Sequence, residues 1–167
     1  KGWTVRAVAR GAKAAHLPDG MEHVQADAFD RATLTAACAG ADVIINALNP
    51  PYDDWRGKVP AMAENVIAAA EATGATHMLP GNVYNFGYDI GMNTAEGAPF
   101  VPSTQKAEIR IAMEELFRRK AEEKGVRTIV LRAGDFYGGR KAGTWHDLMI
   151  LAKLDKDVFV WPGPMDC

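Results

Sequence analysis

Apolar residues recur along this chain in two alternating rhythms: short β-branched runs, then longer Ala-rich stretches with helical spacing, at least four times over. Trp3 to Ala9 alternates as a strand that stops at Arg10-Gly11. A short helical turn is expected at Ala12 to Ala15, and after Pro18-Asp19-Gly20 a second strand begins at His23-Val24-Gln25-Ala26. Asp30 is placed to cap a helix from Arg31 to Ala39, with Gly40 as its stop. Ala41 to Ala47 reads as a buried strand, because Val43, Ile44 and Ile45 are consecutive and apolar, as where a parallel strand is covered on both faces. A loop from Asn49 to Gly57 leads into a helix from Val59 to Thr73, with Pro60 in its first turn and Gly74 at its end. His77-Met78-Leu79 is a short strand, and Gly81 to Pro102 is a loop long enough to be functional. Ser103 can cap a helix to Lys124, with Ile109, Met113, Leu116 and Phe117 on one face. Gly125 closes it, Val126 to Leu131 is the next strand, and Trp145 to Lys153 is a further helical candidate.

Strands alternating with helices predict an α/β fold with a parallel sheet, since each crossover returns the chain in the same direction. Ligands of such sheets sit outside the carboxyl ends of the strands. The residues there are Arg10, Asp27-Ala28, Ala47-Leu48-Asn49, Gly81-Asn82 and Gly134-Asp135.

Composition narrows the field. The 167 residues carry 19 Lys+Arg against 21 Asp+Glu, a formal charge of -2, so neither a nucleic-acid backbone nor an anionic membrane is the expected partner. The longest apolar runs fall far short of the roughly 20 residues that span a bilayer. Two cysteines, Cys38 and Cys167, make no disulfide framework, and a reducing cytoplasm is the expected location. His16, His23, His77 and His146 lack metal-ligand spacing, and no metal site is expected. Neither a Walker-type phosphate loop nor a Gly-x-Ser-x-Gly nucleophile turn occurs. The Glu108, Glu114, Glu115, Arg118, Arg119, Lys120 cluster reads as the solvated face of a helix.

The strand ends resemble the extended or atypical short-chain dehydrogenase/reductases, the group of NAD-dependent epimerases and dehydratases. Val5-Arg6-Ala7-Val8-Ala9-Arg10 is similar to that family's second strand with its terminal basic residue, and Ala26-Asp27-Ala28-Phe29-Asp30 to the third strand and its Asp turn. Asp42-Val43-Ile44-Ile45-Asn46-Ala47 resembles the fourth, Val83-Tyr84-Asn85-Phe86-Gly87 the loop after the fifth, and Leu131-Arg132-Ala133-Gly134-Asp135-Phe136-Tyr137-Gly138 the segment after the sixth. The resemblance implies a Rossmann-type parallel sheet with helices on both faces, incomplete as given. It implies cofactor contacts at Arg10, Asp27, Ala28, Ala47, Leu48 and Lys106. An arginine at Arg10 can meet a ribose 2′-phosphate where NAD-preferring enzymes place an acid, which favours NADP over NAD. The other readings are a solvated strand-end Arg10, a turn-forming Asp27, and Ala47-Leu48 as the end of a buried strand.

The family's proton-transfer pair, Tyr-x-x-x-Lys, is met only by Lys106, since Pro102 stands four residues earlier and Asn82 takes the place of the family's Ser or Thr. The catalytic candidates are therefore Lys106, Asn82 and, as substitute acid, Tyr84, whose other reading is packing. Asp135 and Tyr137 are the substrate-side candidates, with Trp145 beside them. None of the 16 glycines forms the Gly-rich pyrophosphate turn, so a preceding segment of roughly 20 to 25 residues is expected to supply it. Without the strand in that segment, the family's second and fourth strands would face each other across a gap. The chain is thus read as 1–167 of a partial NAD(P)-binding domain, with 134–167 starting a substrate-binding region that continues past Cys167. The function implied is hydride transfer on a nucleotide-sugar or small hydroxylated or carbonyl substrate, with a homodimer allowed. The alternatives are a non-catalytic NAD(P)-binding sensor or interaction protein on the same fold, and a flavodoxin-like domain.

Overall fold

The computed structural model describes residues 2–11, 20–88, 90–134, 136, 144, 147 and 150–161. Along them run strands β1 (Arg6–Ala9) and β2 (Glu22–Gln25), helix α1 (Arg31–Ala37), strand β3 (Val43–Ile45), helix α2 (Trp55–Thr73), strand β4 (Thr76–Gly81), helix α3 (Gln105–Lys124) and strand β5 (Thr128–Arg132). All pairings are parallel, β1 with β2 in one sheet and β3-β4-β5 in order in the other. Among the described residues no ladder joins β1 to β3, yet both strands line one cavity. The gap expected between them is present. The chain divides into two compact units, Lys1–Arg132 and Ala133–Cys167, and all of these elements lie in the first. In the second, the short 3-10 turn Leu154–Lys156 ends on Asp157 in a left-handed conformation.

Local chemistry explains most boundaries. Asp30 caps α1, its Oδ1 accepting from the backbone N–H groups of Ala32 and Thr33 at 3.0 and 3.1 Å. Gly74 and Gly125 end α2 and α3 with the left-handed φ that stops a helix without a Cβ penalty. Three expectations are corrected. Helix α2 begins at Trp55, not Val59, because a 3-10 turn at Tyr52–Asp54 already winds the chain; Pro60 then lies inside the helix, where its missing N–H would face the exposed first turn. Thr104 rather than Ser103 caps α3, its Oγ1 accepting from Ala107 N at 3.2 Å. Strand β3 is covered on one face only: Ile44 packs inward, whereas Val43 and Ile45 are exposed, as are Ile129 and Leu131 on β5. The turn expected at 12–15 lies outside the described residues, as do 145, 146, 148 and 149 of the helix expected at 145–153, whose residues 151–153 form a bend and turn.

Helix α2 carries the core on two faces. Trp55, Val59, Ala63, Ile67 and Ala70 join Leu79 of β4, Met113 and Phe117 of α3 and Val126 in one buried cluster. Val66 and Ala69 join Leu34 and Cys38 in a second, with Val8 of β1 and Ile44 of β3 packed against it. The second cluster therefore ties the two sheets together through helices. Its alanines allow close approach of α1 and α2, a role for the Ala-rich run beyond helix propensity.

Two buried polar groups sit at the junction of β4, β5 and α3. His77 is fully buried, its ring edge-on to Phe117 at 4.5 Å between centroids and its Nδ1 3.4 Å from Thr128 Oγ1. Its Nε2 has no hydrogen-bond partner among the described residues. Burial lowers its pKa from 6.5 to about 4, so the imidazole is neutral in the fold. Glu114, expected on a solvated face, is instead 9% exposed. Arg132 at the end of β5 grips it with a two-pronged pair, Nη1 to Oε1 at 2.9 Å and Nη2 to Oε2 at 2.6 Å. The helix face that carries Glu114 also carries Met113 and Phe117 toward the sheet, which is why a charge on it needs a buried partner.

These groups give two predictions. The unfolded chain takes up a proton on His77 near pH 6.5 that the folded chain refuses until about pH 4, so stability falls as pH drops through that window, by up to about 3 kcal/mol. Denaturant unfolding from pH 7 to 4 should show this slope in the protein and a shallower one in His77→Leu; identical slopes would refute it. Arg132→Ala, which strands Glu114 without its partner, should cost about 3–5 kcal/mol, and the paired Arg132→Met, Glu114→Leu variant distinctly less, in the same unfolding assay.

Candidate functional site

One cavity of about 840 Å³ occupies the gap between β1 and β3, lined by Gly2, Arg6 and Asp42 at or before the starts of these strands and by the residues that follow β1, β2 and β3. Arg10 follows β1, Asp27 and Ala28 follow β2, and Ala47 and Leu48 follow β3; all five line it. Small residues make the room: Ala26 and Ala28 are buried at the end of β2, and a larger side chain at either would occupy the lining. Arg10 is exposed there.

Each end is held by its own hydrogen bonds. Asp27 Oδ1 accepts from Phe29 N at 2.9 Å and its carbonyl accepts from Asp30 N at 3.0 Å, so the carboxylate folds the turn after β2. Asn65 of α2, buried in an otherwise apolar face, donates from Nδ2 to the Ala28 carbonyl at 2.9 Å and accepts from Arg31 Nε at 3.0 Å. A polar residue amid the alanines of α2 was the one available signal for this brace. Asn46, also buried, donates from its backbone N–H to Met78 O at 2.8 Å and accepts from Leu48 N at 3.4 Å, turning the chain out of β3.

The proposed proton-transfer residues stand apart from this lining, on α3 and the loop after β4. Asn82 Oδ1 accepts from Tyr84 N at 3.2 Å, which starts the 3-10 turn Tyr84–Phe86. Tyr84 is half-buried and packs against the main core cluster. The loop closes on itself: Val101 N donates to Asn85 O at 2.8 Å, and the rings of Phe86 and Phe100 meet edge-on at 5.6 Å. Gly87, at φ 72°, lies where a Cβ would collide with the Val101 carbonyl oxygen, so the neck admits only glycine. Arg132 spans this neck, donating to Asn82 O at 3.2 Å with its guanidinium 5.3 Å from both phenyl rings. Asp135, Tyr137 and Trp145 lie outside the described residues.

Lys106, in the first turn of α3, has its Nζ 3.9 Å from the centroid of the Tyr52 ring. One turn on, Arg110 lies over Trp55 at 4.6 Å. Burial pushes Arg110 below its ordinary range, while Glu114, Tyr84 and Tyr52 draw it back up. Tyr52, Trp55 and Arg110 were not singled out by the sequence, because the contacts join segments about 50 residues apart.

A dinucleotide fits this arrangement in part. Alanines leave space along three strand ends, and Arg10 offers positive charge for a phosphate. A glycine turn for the pyrophosphate is absent from the described residues. Among them, no three His, Cys, Asp or Glu side chains are grouped to hold a metal, and no helix is long and apolar enough to cross a membrane.

Comparison with known proteins agrees with the geometry. Residues 1–119 match the family model described as NAD(P)H-binding. No curated protein matches the chain. Among solved structures it is similar to UDP-glucose 4-epimerase from Brucella ovis in complex with NAD, at 17% identity and a TM-score of 0.71, over 83% of this chain and 46% of that one. UDP-glucuronic acid 4-epimerase from Bacillus cereus in complex with NAD is similar at 13% identity and a TM-score of 0.71, over 93% and 56%. The Bordetella bronchiseptica enzyme WbmH in complex with NAD+ is similar at 18% identity and a TM-score of 0.73, over 93% and 55%. The chain thus spans about half the length of these proteins, and the shared feature is the Rossmann-type parallel fold. With the family model covering well over half of its residues, the chain belongs to the NAD(P)H-binding family.

Proposed function

We propose that this chain is the nucleotide-binding part of an oxidoreductase, epimerase or dehydratase that transfers hydride on a nucleotide-sugar or a small hydroxylated or carbonyl substrate, with NADP preferred over NAD. The observation that carries the reading is the single cavity lined by Arg10, Asp27, Ala28, Ala47 and Leu48 from three parallel strand ends. The similar epimerases are solved with NAD, which supports a nicotinamide cofactor and a nucleotide-sugar class but leaves the NADP preference to Arg10.

In this reading Arg10 pairs with the ribose 2′-phosphate, Asp27 and Ala28 flank the adenosine, and Ala47 and Leu48 lie along the cofactor. The nicotinamide supplies the hydride acceptor and donor. Lys106 holds ribose hydroxyls, Asn82 offers its amide to a substrate oxygen, and Tyr84 is one candidate acid. The segment 134–167, with Asp135 and Tyr137, begins the substrate side. The two cysteines favour a location in the cytoplasm, the near-zero charge favours a small-molecule partner over nucleic acid or membrane, and a homodimer is compatible with both. A second reading, a non-catalytic NAD(P)-binding sensor, is favoured by Pro102 at the position of the family's Tyr.

Fluorescence titration with NADPH and NADH tests the reading. Both should bind, NADPH more tightly, and Arg10→Ala should weaken NADPH by about tenfold while leaving NADH nearly unchanged. Binding of neither would overturn both readings; equal loss for the two cofactors would overturn the role of Arg10.

A further inference from the structure

We propose that the side-chain amide of Asn46 is a ligand-binding donor, giving its Nδ2 hydrogens to an uncharged oxygen on the nicotinamide-riboside half of the dinucleotide. The inference rests on the nicotinamide reading above and adds one contact to it.

Asn46 is 7% exposed, yet it lines the main cavity at the end of β3. It also lines a nook of about 10 Å³ beside that end, whose other side chains are apolar, among them Leu48, Val59, Met62, Leu79 and Met113. Leu48 and Met62 border both spaces as well, so Asn46 stands in the partition between them. Its Oδ1 accepts from Leu48 N at 3.4 Å, which fixes the side of the amide that is oxygen. That leaves Nδ2 with no acceptor among the described residues, in surroundings where an unmet donor is costly. An aspartate or serine could accept from Leu48 N equally well. The turn after β3 therefore accounts for the oxygen of Asn46 and not for its nitrogen.

The chemistry of the partition decides what the donor takes. A buried anion needs a cation, and Lys58, which lines the same cavity, already pairs with Asp54 Oδ2 at 2.7 Å. The partner that this apolar wall tolerates is a neutral acceptor, a hydroxyl or carbonyl oxygen, and not a phosphate. Position then selects the half of the ligand. Arg10, Asp27 and Ala28 follow the strands of the β1-β2 sheet, where the adenosine end is assigned, whereas Asn46 follows β3 across the gap. A dinucleotide spanning that gap brings its nicotinamide riboside to Asn46. The neutral acceptors there are the ribose hydroxyls and the carboxamide carbonyl. The bond to Leu48 N holds the amide in one orientation, so little side-chain freedom is left to lose on binding.

Two measurements test the assignment. In protein carrying isotope-labelled asparagine, the Asn46 side-chain NH₂ pair, assigned by nuclear magnetic resonance through its own Cβ, should move downfield and resist solvent exchange when NADPH is added. Adenosine 2′,5′-bisphosphate, which lacks the nicotinamide half, should leave it in place. The second measurement is calorimetric titration of Asn46→Asp, which keeps the acceptor for Leu48 N and removes the donor. NADPH should weaken by about tenfold and adenosine 2′,5′-bisphosphate should be unchanged, a pattern that neither unfolding nor general charge repulsion produces. The thionicotinamide analogue of NADPH, whose carboxamide carries sulfur, separates the two acceptors: an equal loss with it assigns the bond to a ribose hydroxyl, a smaller loss to the carboxamide. An NH₂ pair unmoved by bound NADPH would overturn the proposal, and this readout uses the unaltered side chain, so it stands even where the variant is unstable. Equal losses for NADPH and the bisphosphate, in a variant with the parent's denaturant midpoint, would overturn it too. Absence of NADPH binding to the parent would instead remove the nicotinamide reading itself, which the fluorescence titration reports separately.

Discussion

Everything in the first unit depends on helix α2 packing in two directions at once. Parallel strands cannot be joined by hairpins, so each must be reached by a crossover helix, and the sheets hold their places only through what those helices bury. In this chain the requirement is heightened, because β1 and β3 share no ladder among the described residues. Packing of Val66 and Ala69 against Leu34 and Cys38, with Val8 and Ile44 beneath, carries the load that backbone hydrogen bonds carry within each sheet. Asn65 adds the polar part of the same joint by binding the Ala28 carbonyl. The cavity that receives the strand ends is therefore shaped by helix packing, and a change in α2 would be felt at Ala28 before it was felt by any ligand.

Much of this was legible in the residues. The alternation of strand and helix, the Asp30 cap and the glycine stops at Gly74 and Gly125 are local chemistry, and local chemistry decides them. The five cavity residues were legible because a parallel topology sends every strand's carboxyl end to the same side. What failed was non-local. Val43 to Ile45 reads as doubly covered, yet hydrophobic pattern reports what a strand could bury and not whether a neighbour is there; Val43 and Ile45 are exposed. Glu114 reads as a surface charge because its partner, Arg132, is 18 residues away on another element. Pro60 reads as a helix start because the winding supplied by Tyr52–Asp54 leaves no periodic signal.

The same limit explains the region around Lys106. Lys106 was visible through its resemblance to a known pair, but its actual neighbour, Tyr52, comes from a loop 54 residues earlier and could be found only in three dimensions. Around it the charges and rings alternate, Lys106 on Tyr52 and Arg110 on Trp55, while Arg132 lies between Phe86 and Phe100 at the neck of the loop after β4. Aromatic faces let these cations sit half-buried without a carboxylate beside each one. Glu114 then balances Arg132 directly and Arg110 at longer range.

The central claim is that three strand ends of this chain form one dinucleotide crevice. Hydrogen–deuterium exchange of the protein with and without NADPH tests it most directly, because it reads the backbone at each strand end separately. The account predicts slowed exchange at the amides around Arg10, Asp27-Ala28 and Ala47-Leu48 together, with the distant turn at Gly125 unchanged. Protection confined to one strand end, or appearing only elsewhere in the chain, would contradict it.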